Sequence, residues 1–215
     1  MNKRAKWITV DGLDGAGKGT VIDLFKSSLE STGKEVKVFK VIGTGIAGEG
    51  LRAAIMTSKL SRATAAMSLA TCFTDTYHNV MQSINDYDLI IVDRYIASFF
   101  AYDCVAAKDK DDSSISDLGN VLLDSVLLNK RIMPESPDYE IFVNCDPAMC
   151  KERIDKRDEE KKYLDHKPIE HFITSSEAYL KYYTTRVPGF INIENKGSLE
   201  DLENNVLNTI LLLGL

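Results

Sequence analysis

Gly12-Leu13-Asp14-Gly15-Ala16-Gly17-Lys18-Gly19-Thr20 is the stretch that decides the fold. It follows the apolar run Trp7–Val10 and opens a segment of helical period over Gly19–Ser31, so it reads as a glycine-rich turn from a strand into a helix. Glycines let a backbone curl until several N–H groups converge on one point, and the helix that follows adds the positive end of its dipole at the same place. Such a turn cradles phosphate. Gly12 through Thr20 are therefore candidate contacts to a nucleoside triphosphate, with the Lys18 ammonium bridging its β- and γ-phosphates.

Working outward, the apolar runs Val36–Val41, Leu89–Val92, Tyr139–Val143 and Phe190–Ile193 read as further strands. Helical period fills Gly48–Ser58, Arg62–Ile84, Ser116–Leu128, Pro147–Arg157, Pro168–Arg186 and Ser198–Leu212. This alternation predicts an α/β fold of the P-loop NTPase type: three layers, with a five-stranded parallel sheet flanked by helices. Asp146 before Pro147, and Ser198 with Asp201, are helix-start signals. The polar stretch Lys108–Ser114 and the charged stretch Asp158–Lys167 read as surface loops.

Length and composition narrow the function. A chain of 215 residues, 44% hydrophobic and 27% charged, suits one well-buried domain spanning 1–215. A formal net charge of −6 without a long Lys/Arg tract argues against a nucleic-acid polymer as partner, while leaving single nucleotides open. Cys72, Cys104, Cys145 and Cys150 have neither zinc-site nor disulfide-framework spacing, which fits a reducing cytoplasm. The opening Met1-Asn2-Lys3-Arg4 resembles a signal-peptide start, but the apolar stretch after it breaks at Asp11, and no run has membrane-spanning length.

A second motif selects among phosphate-binding folds. Asp93-Arg94-Tyr95 ends the buried run Leu89-Ile90-Ile91-Val92, so its arginine emerges at the carboxyl end of a central strand, where open α/β sheets bind ligands. A planar guanidinium there can grip a second phosphate at two points. The run Asp93-Arg94-Tyr95-Ile96-Ala97-Ser98-Phe99-Phe100-Ala101-Tyr102 resembles the thymidylate kinase pattern of Asp-Arg-Tyr, then Ser, then Ala-Tyr. That resemblance implies that Arg94 binds the acceptor phosphate, that Asp93 organises a hydrated Mg²⁺, and that Ser98 and Tyr102 border the acceptor nucleotide. Gly48-Glu49-Gly50-Leu51-Arg52 is similar to the family's Gly-Glu-x-x-Arg, which brings Arg52 to the same phosphate, and Asp14 matches the loop aspartate facing the 3′-hydroxyl of a deoxyribose. The Gly-Lys-Gly-Thr ending resembles the adenylate kinase branch, where Mg²⁺ is held largely through water; Thr20, one position late, is a weak direct ligand.

Arg153-Ile154-Asp155-Lys156-Arg157 leading into Asp158–Lys162, with Phe172 and Tyr179 on the next helix, resembles the family's lid and lid-following helix, near 153–167. The phosphate loop contains no arginine, yet phosphoryl transfer develops charge that protein cations normally stabilise, so Arg153 and Arg157 are candidates to close over the transferred group. The resemblance thus implies ATP + dTMP giving ADP + dTDP, with Lys18, Arg94, Arg153 and Arg157 catalytic, Mg²⁺ and ATP as cofactors, and a homodimer. No general base is needed, because the acceptor phosphate already carries the attacking oxygen.

Two stretches depart from the family. Lys40-Val41-Ile42-Gly43-Thr44-Gly45 stands where Arg-Glu-Pro-Gly-Gly-Thr is usual. On the base-facing helix Thr76 replaces an arginine that meets the 4-oxo group, and Phe73 is the nearest residue to stack on the base. Threonine is too short to reach the same atom, which loosens the expected base selectivity. A kinase of another deoxynucleotide, a deoxynucleoside kinase and a non-catalytic P-loop regulator stay open as alternatives. A guanine switch does not, since Asn-Lys-x-Asp is missing.

Overall fold

Five apolar runs form one parallel sheet in the computed structural model, which describes residues 4–56, 60–109, 129–156 and 167–215. The strands are β1 (Lys6–Asp11), β2 (Val36–Lys40), β3 (Leu89–Asp93), β4 (Tyr139–Asn144) and β5 (Ile191–Glu194), hydrogen-bonded in the order β2-β3-β1-β4-β5. Every pair is parallel. The two inner runs, Trp7–Asp11 and Leu89–Val92, are buried throughout, because helices cover both faces of the sheet and leave no wet side. The outer strands are less buried, with Lys40 and Glu194 exposed.

Helices α1 (Lys18–Glu30), α2 (Gly45–Met56), α3 (Arg62–Ser83), α4 (Ile96–Asp109), α5 (Pro147–Asp155), α6 (Ile169–Arg186) and α7 (Leu199–Leu213) connect and cover these strands. They fall into two sets: α1 packs with α7, while α4 packs against α6 and α3, with α5 on α6 and α2 on α3. The expected caps are in place. Asp146 accepts from the amides of Ala148 (2.8 Å) and Met149 (3.3 Å) with Pro147 in the first turn, and Ser198 forms a reciprocal capping box with Asp201. None of the described helices is long and apolar enough to cross a membrane.

The sequence reading missed α4. Ile96-Ala-Ser-Phe-Phe-Ala-Tyr-Asp-Cys-Val-Ala-Ala is apolar on nearly every side, and a helix wedged between the sheet and its neighbours shows no 3.6-residue contrast to detect. Lys108 and Asp109, expected to begin a loop, are its last turn. Helix α5 stops at Asp155, with the Lys156 amide donating back to Glu152 and Ile154, short of the expected Arg157. The helix expected over Ser116–Leu128 lies outside the described residues.

One buried acid makes the sheet sensitive to pH. Glu140 of β4 pairs in register with Thr9, and its Oε2 is buried with no hydrogen-bond partner. Burial, and secondarily the charge of Asp11, push its carboxyl from 4.5 up to about 8. A carboxyl raised on folding contributes stability that is complete at acid pH and is lost as pH rises through about 8. The melting temperature of the protein should therefore fall between about pH 4.5 and 8, and Glu140→Gln should flatten that fall. Parallel melting-versus-pH curves for the two proteins would refute this.

Candidate active site

The glycine loop owes its path to close approach as much as to backbone angle. Gly12 has φ 148°, and a Cβ there would lie 2.5 Å from the carbonyl oxygen of Val143 on β4. Gly15 has φ 82°, and a Cβ there would collide with the carbonyl of Cys150 on α5. Gly17 caps α1 in the left-handed region, without a side-chain acceptor, so the first amides of α1 stay open to a ligand. A turn bond from Ala16 N to Leu13 O (3.1 Å) closes the loop. Asn195, between β5 and α7, steadies it by donating from Nδ2 to Ala16 O (2.8 Å). Nothing in the sequence singled out Asn195.

Lys18 turns back into this loop. Its ammonium is buried and donates to the carbonyls of Gly12 (3.0 Å) and Leu13 (2.7 Å). Burial first, and the charge of Arg94 second, lower its pKa from 10.5 to about 8 against the opposing pull of Asp14, Asp93 and Asp11. Gly19 and Thr20 are exposed on α1.

The second motif meets the loop because Val10 of β1 pairs with Asp93 of β3, and Arg94 N donates to Val10 O at 3.0 Å. Arg94 has φ 65°, the one non-glycine residue in the left-handed region among those described. Its guanidinium forms an ion pair with Asp14 and donates to the hydroxyl of Tyr102 (3.3 Å), which in turn donates to Asp14 Oδ2 (2.7 Å). The guanidinium carbon also sits 5.7 Å from the centre of the Tyr102 ring. Three residues expected at the site, Asp14, Arg94 and Tyr102, thus form one cluster. It borders a cleft lined by Leu13, Asp14, Tyr102, His171, Phe172 and Ser175.

Asp11, the last residue of β1, is fully buried, and sequence reasoning assigned it no role at the site. Its carboxylate accepts from Tyr95 N (3.0 Å), Ser98 N (3.1 Å) and the Ser98 hydroxyl. Burial pushes its pKa up, against the pull of these bonds and of Arg94 and Lys18. An acid interrupting an otherwise apolar central strand was the available signal. Ser98 is thereby committed to the interior, bonded to Asp11 and to the hydroxyl of Tyr179 (2.7 Å), and is 5% exposed.

The remaining expected residues divide. Asp93 holds Oδ2 3.8 Å from Lys40 Nζ, while its Oδ1 is buried with no hydrogen-bond partner among the described residues. Arg153 on α5 donates to Gly15 O (3.3 Å) and to Cys145 Sγ (3.5 Å), which brings it to the loop. Arg157 and most of the segment 153–167 lie outside the described residues. Arg52 donates to Ile42 O (2.6 Å), bracing the divergent turn that Thr44 closes by accepting from Lys40 N (2.8 Å) and donating to Lys40 O (2.7 Å).

Phe73 and Thr76, expected to face the base, are 2% and 1% exposed in this conformation. Phe73 packs edge-on to Tyr95 (5.7 Å) and Phe99 (6.0 Å), and the Thr76 hydroxyl is buried without a partner. Among the described residues no group of three or more His, Cys, Asp or Glu could hold a metal ion.

The fold has counterparts. The family model for thymidylate kinase matches residues 10–206. A probable thymidylate kinase of Methanosarcina acetivorans is 25% identical over 97% of this chain and 96% of its own length. A thymidylate kinase of Albidiferax ferrireducens is 23% identical, covering 98% of this chain and 97% of its own. The structure of a thymidylate kinase from Candida albicans superimposes with a TM-score of 0.74 at 19% identity, covering 98% of this chain and 93% of that one. A family match that runs unbroken from Val10 through the glycine loop, the Asp93-Arg94-Tyr95 turn and on into α7 encloses the whole cluster described above, and the chain belongs to the thymidylate kinase family.

Proposed function

We propose that this protein transfers the γ-phosphoryl group of ATP to dTMP, giving dTDP and ADP. The observation that carries the reading is the Asp14–Arg94–Tyr102 cluster held beside the phosphate loop by the Val10–Asp93 register, since it offers two anion sites side by side, one for each nucleotide. Phosphoryl transfer asks a protein chiefly for position and charge. The loop amides and Lys18 hold the donor phosphates, Arg94 and Arg52 the acceptor phosphate, and Arg153 the transferred group from the side of α5. Arg157 and a lid over 153–167 belong to the same proposal.

Mg²⁺ fits this arrangement. The buried Oδ1 of Asp93 is an acceptor facing no donor among the described residues, and a hydrated cation would supply the donors it lacks. When bound, Mg²⁺ neutralises the charge that builds on the phosphate oxygens. Asp93 would hold the hydrated ion, with the exposed Thr20 a lesser contributor.

An ADP-release assay with ATP, Mg²⁺ and a panel of nucleosides and monophosphates tests the assignment; turnover with dTMP supports it, and turnover with nucleosides alone overturns it. Lys18→Ala should abolish that turnover and leave the fold intact, because Lys18 bonds only loop carbonyls. The pH dependence has a definite sign. Lys18 titrates near 8 in the free protein, and phosphate raises its pKa by favouring the charged form, so ATP affinity is full below about pH 8 and weakens above it, with protons taken up on binding. Calorimetry of ATP binding at pH 8.5 in buffers of different ionisation enthalpy reads that uptake directly; an identical heat in all of them refutes it.

Arg94→Ala should raise the Michaelis constant for dTMP and lower turnover while leaving ATP binding nearly unchanged; an equal loss of ATP affinity moves Arg94 to the donor side. Base selection comes from residues other than Thr76, because its side chain is sealed off. Thr76→Val should leave the ratio of specificity constants for dTMP and dUMP within about twofold and should hold or raise stability, since removing both the hydroxyl and its unmet hydrogen bond is close to neutral. A marked change in the ratio would restore Thr76 to the base pocket.

A second copy of the chain is the partner we propose for the apolar side chains left exposed on α2 and α3, Ile46 (90%), Met56 and Met67. Sedimentation at micromolar protein measures the mass. Free thiols at Cys72, Cys145 and Cys150 support a cytoplasmic location.

A further inference from the structure

We propose that Asp11 is a positioning residue for the transfer, fixing the acceptor guanidinium of Arg94 relative to the phosphate loop; the inference rests on the kinase reading above.

Between β3 and α4 the chain turns within two residues, Arg94 and Tyr95, and Arg94 takes a left-handed backbone. That conformation is unfavourable for a non-glycine residue and persists only where the surroundings impose it. Both restraints come from neighbouring residues of β1. Val10 O accepts from Arg94 N at 3.0 Å, and the Asp11 carboxylate accepts from Tyr95 N at 3.0 Å with both oxygens. The same carboxylate takes the Ser98 amide (3.1 Å) and the Ser98 hydroxyl, capping the first turn of α4, whose later residue Tyr102 meets the Arg94 guanidinium. The next residue after Asp11 is Gly12, where the phosphate loop begins. One side chain therefore joins the donor cradle to the turn that aims the acceptor arginine.

The chemistry requires a carboxylate. Three donors converge on it from within hydrogen-bond reach, and an ionised carboxylate is acceptor only, with capacity for all of them. An amide of the same shape brings one acceptor oxygen and two surplus donors into a closed space. Because Ser98 gives its proton to Asp11, the Tyr179 hydroxyl on α6 donates to Ser98 Oγ, and the support extends to the far side of α4. None of these groups belongs to the phosphate-binding set proposed above. Asp11 acts through Arg94 alone, by setting the distance between two anion sites whose reacting atoms must approach to about 3–3.5 Å.

The experiment compares four proteins: the natural one, Asp11→Asn, Arg94→Ala and the double variant. Each is measured for acceptor-dependent ADP release, for the Michaelis constant of ATP, and for calorimetric binding of dTMP alone, which needs no turnover. Asp11→Asn should lower kcat/KM for dTMP and weaken dTMP binding by about tenfold or more, with the ATP constant within about twofold. In the Arg94→Ala background the same change should cost less than about twofold, because the residue it positions is gone. A merely structural role would produce an equal loss in both backgrounds, or a parallel loss of ATP affinity, and either result overturns the proposal. Should Asp11→Asn fail to fold, Ser98→Ala removes one of its donors and should show a smaller loss with the same dependence on Arg94. If the natural protein binds dTMP without turning it over, the kinase reading falls, while Arg94-dependent weakening in Asp11→Asn still upholds the positioning role. Absence of dTMP binding in the natural protein sinks both.

Discussion

The parallel pairing of Val10 with Asp93 is the constraint on which the rest of the site depends. It sets the carboxyl ends of β1 and β3 level in the middle of the sheet, so that the two chain reversals following them open into one crevice. β1 is joined in sequence to β2 but lies beside β3 in space, and the strand after β3 crosses to the far side of β1. Helices on the two sides of that reversal diverge and leave room for ligands. The glycine loop and Arg94 face each other because backbone hydrogen bonds leave them nowhere else to go.

The parts of this arrangement legible in the sequence were those in which local chemistry and global role coincide. Continuous apolar runs gave β1 and β3, since a strand buried on both faces has no polar side to hide. Gly12, Gly15 and Lys18 were readable because a crowded, left-handed turn admits few residues. Burial defeated the rest. Helix α4 lacks a polar face, and so left no periodic signal. Asp11 and Asn195 act on partners 84 and 179 positions away, which no local pattern encodes. Phe73 and Thr76 are placed on α3 as the pattern suggested, but which side of a helix meets the core is settled by packing against Tyr95 and Phe99.

Charge within this crevice is costly to the fold. Lys18, Asp11 and the unpaired oxygen of Asp93 are all withdrawn from water, and none improves packing in the way an apolar side chain of similar size does. The ammonium of Lys18 rests on two loop carbonyls, which meet its hydrogen-bonding needs without neutralising it. Residues kept against the interest of stability mark where local consistency has been given up for work done on a ligand. Glu140, near the amino end of β4 and opposite Thr9, extends the acidic side of that imbalance into the sheet.

The ion pair between Arg94 and Asp14 has a further consequence for how an anion enters. On the proposed acceptor role of Arg94, an arriving phosphate would meet a guanidinium already engaged, so association would exchange one carboxylate for one phosphate rather than fill a bare positive hole. Ionic strength then acts on the difference between two similar contacts, and the affinity for the second nucleotide varies less with salt than its count of arginines suggests. The released Asp14 stays within a few ångströms, tethered to the loop, ready to retake the guanidinium as the product leaves.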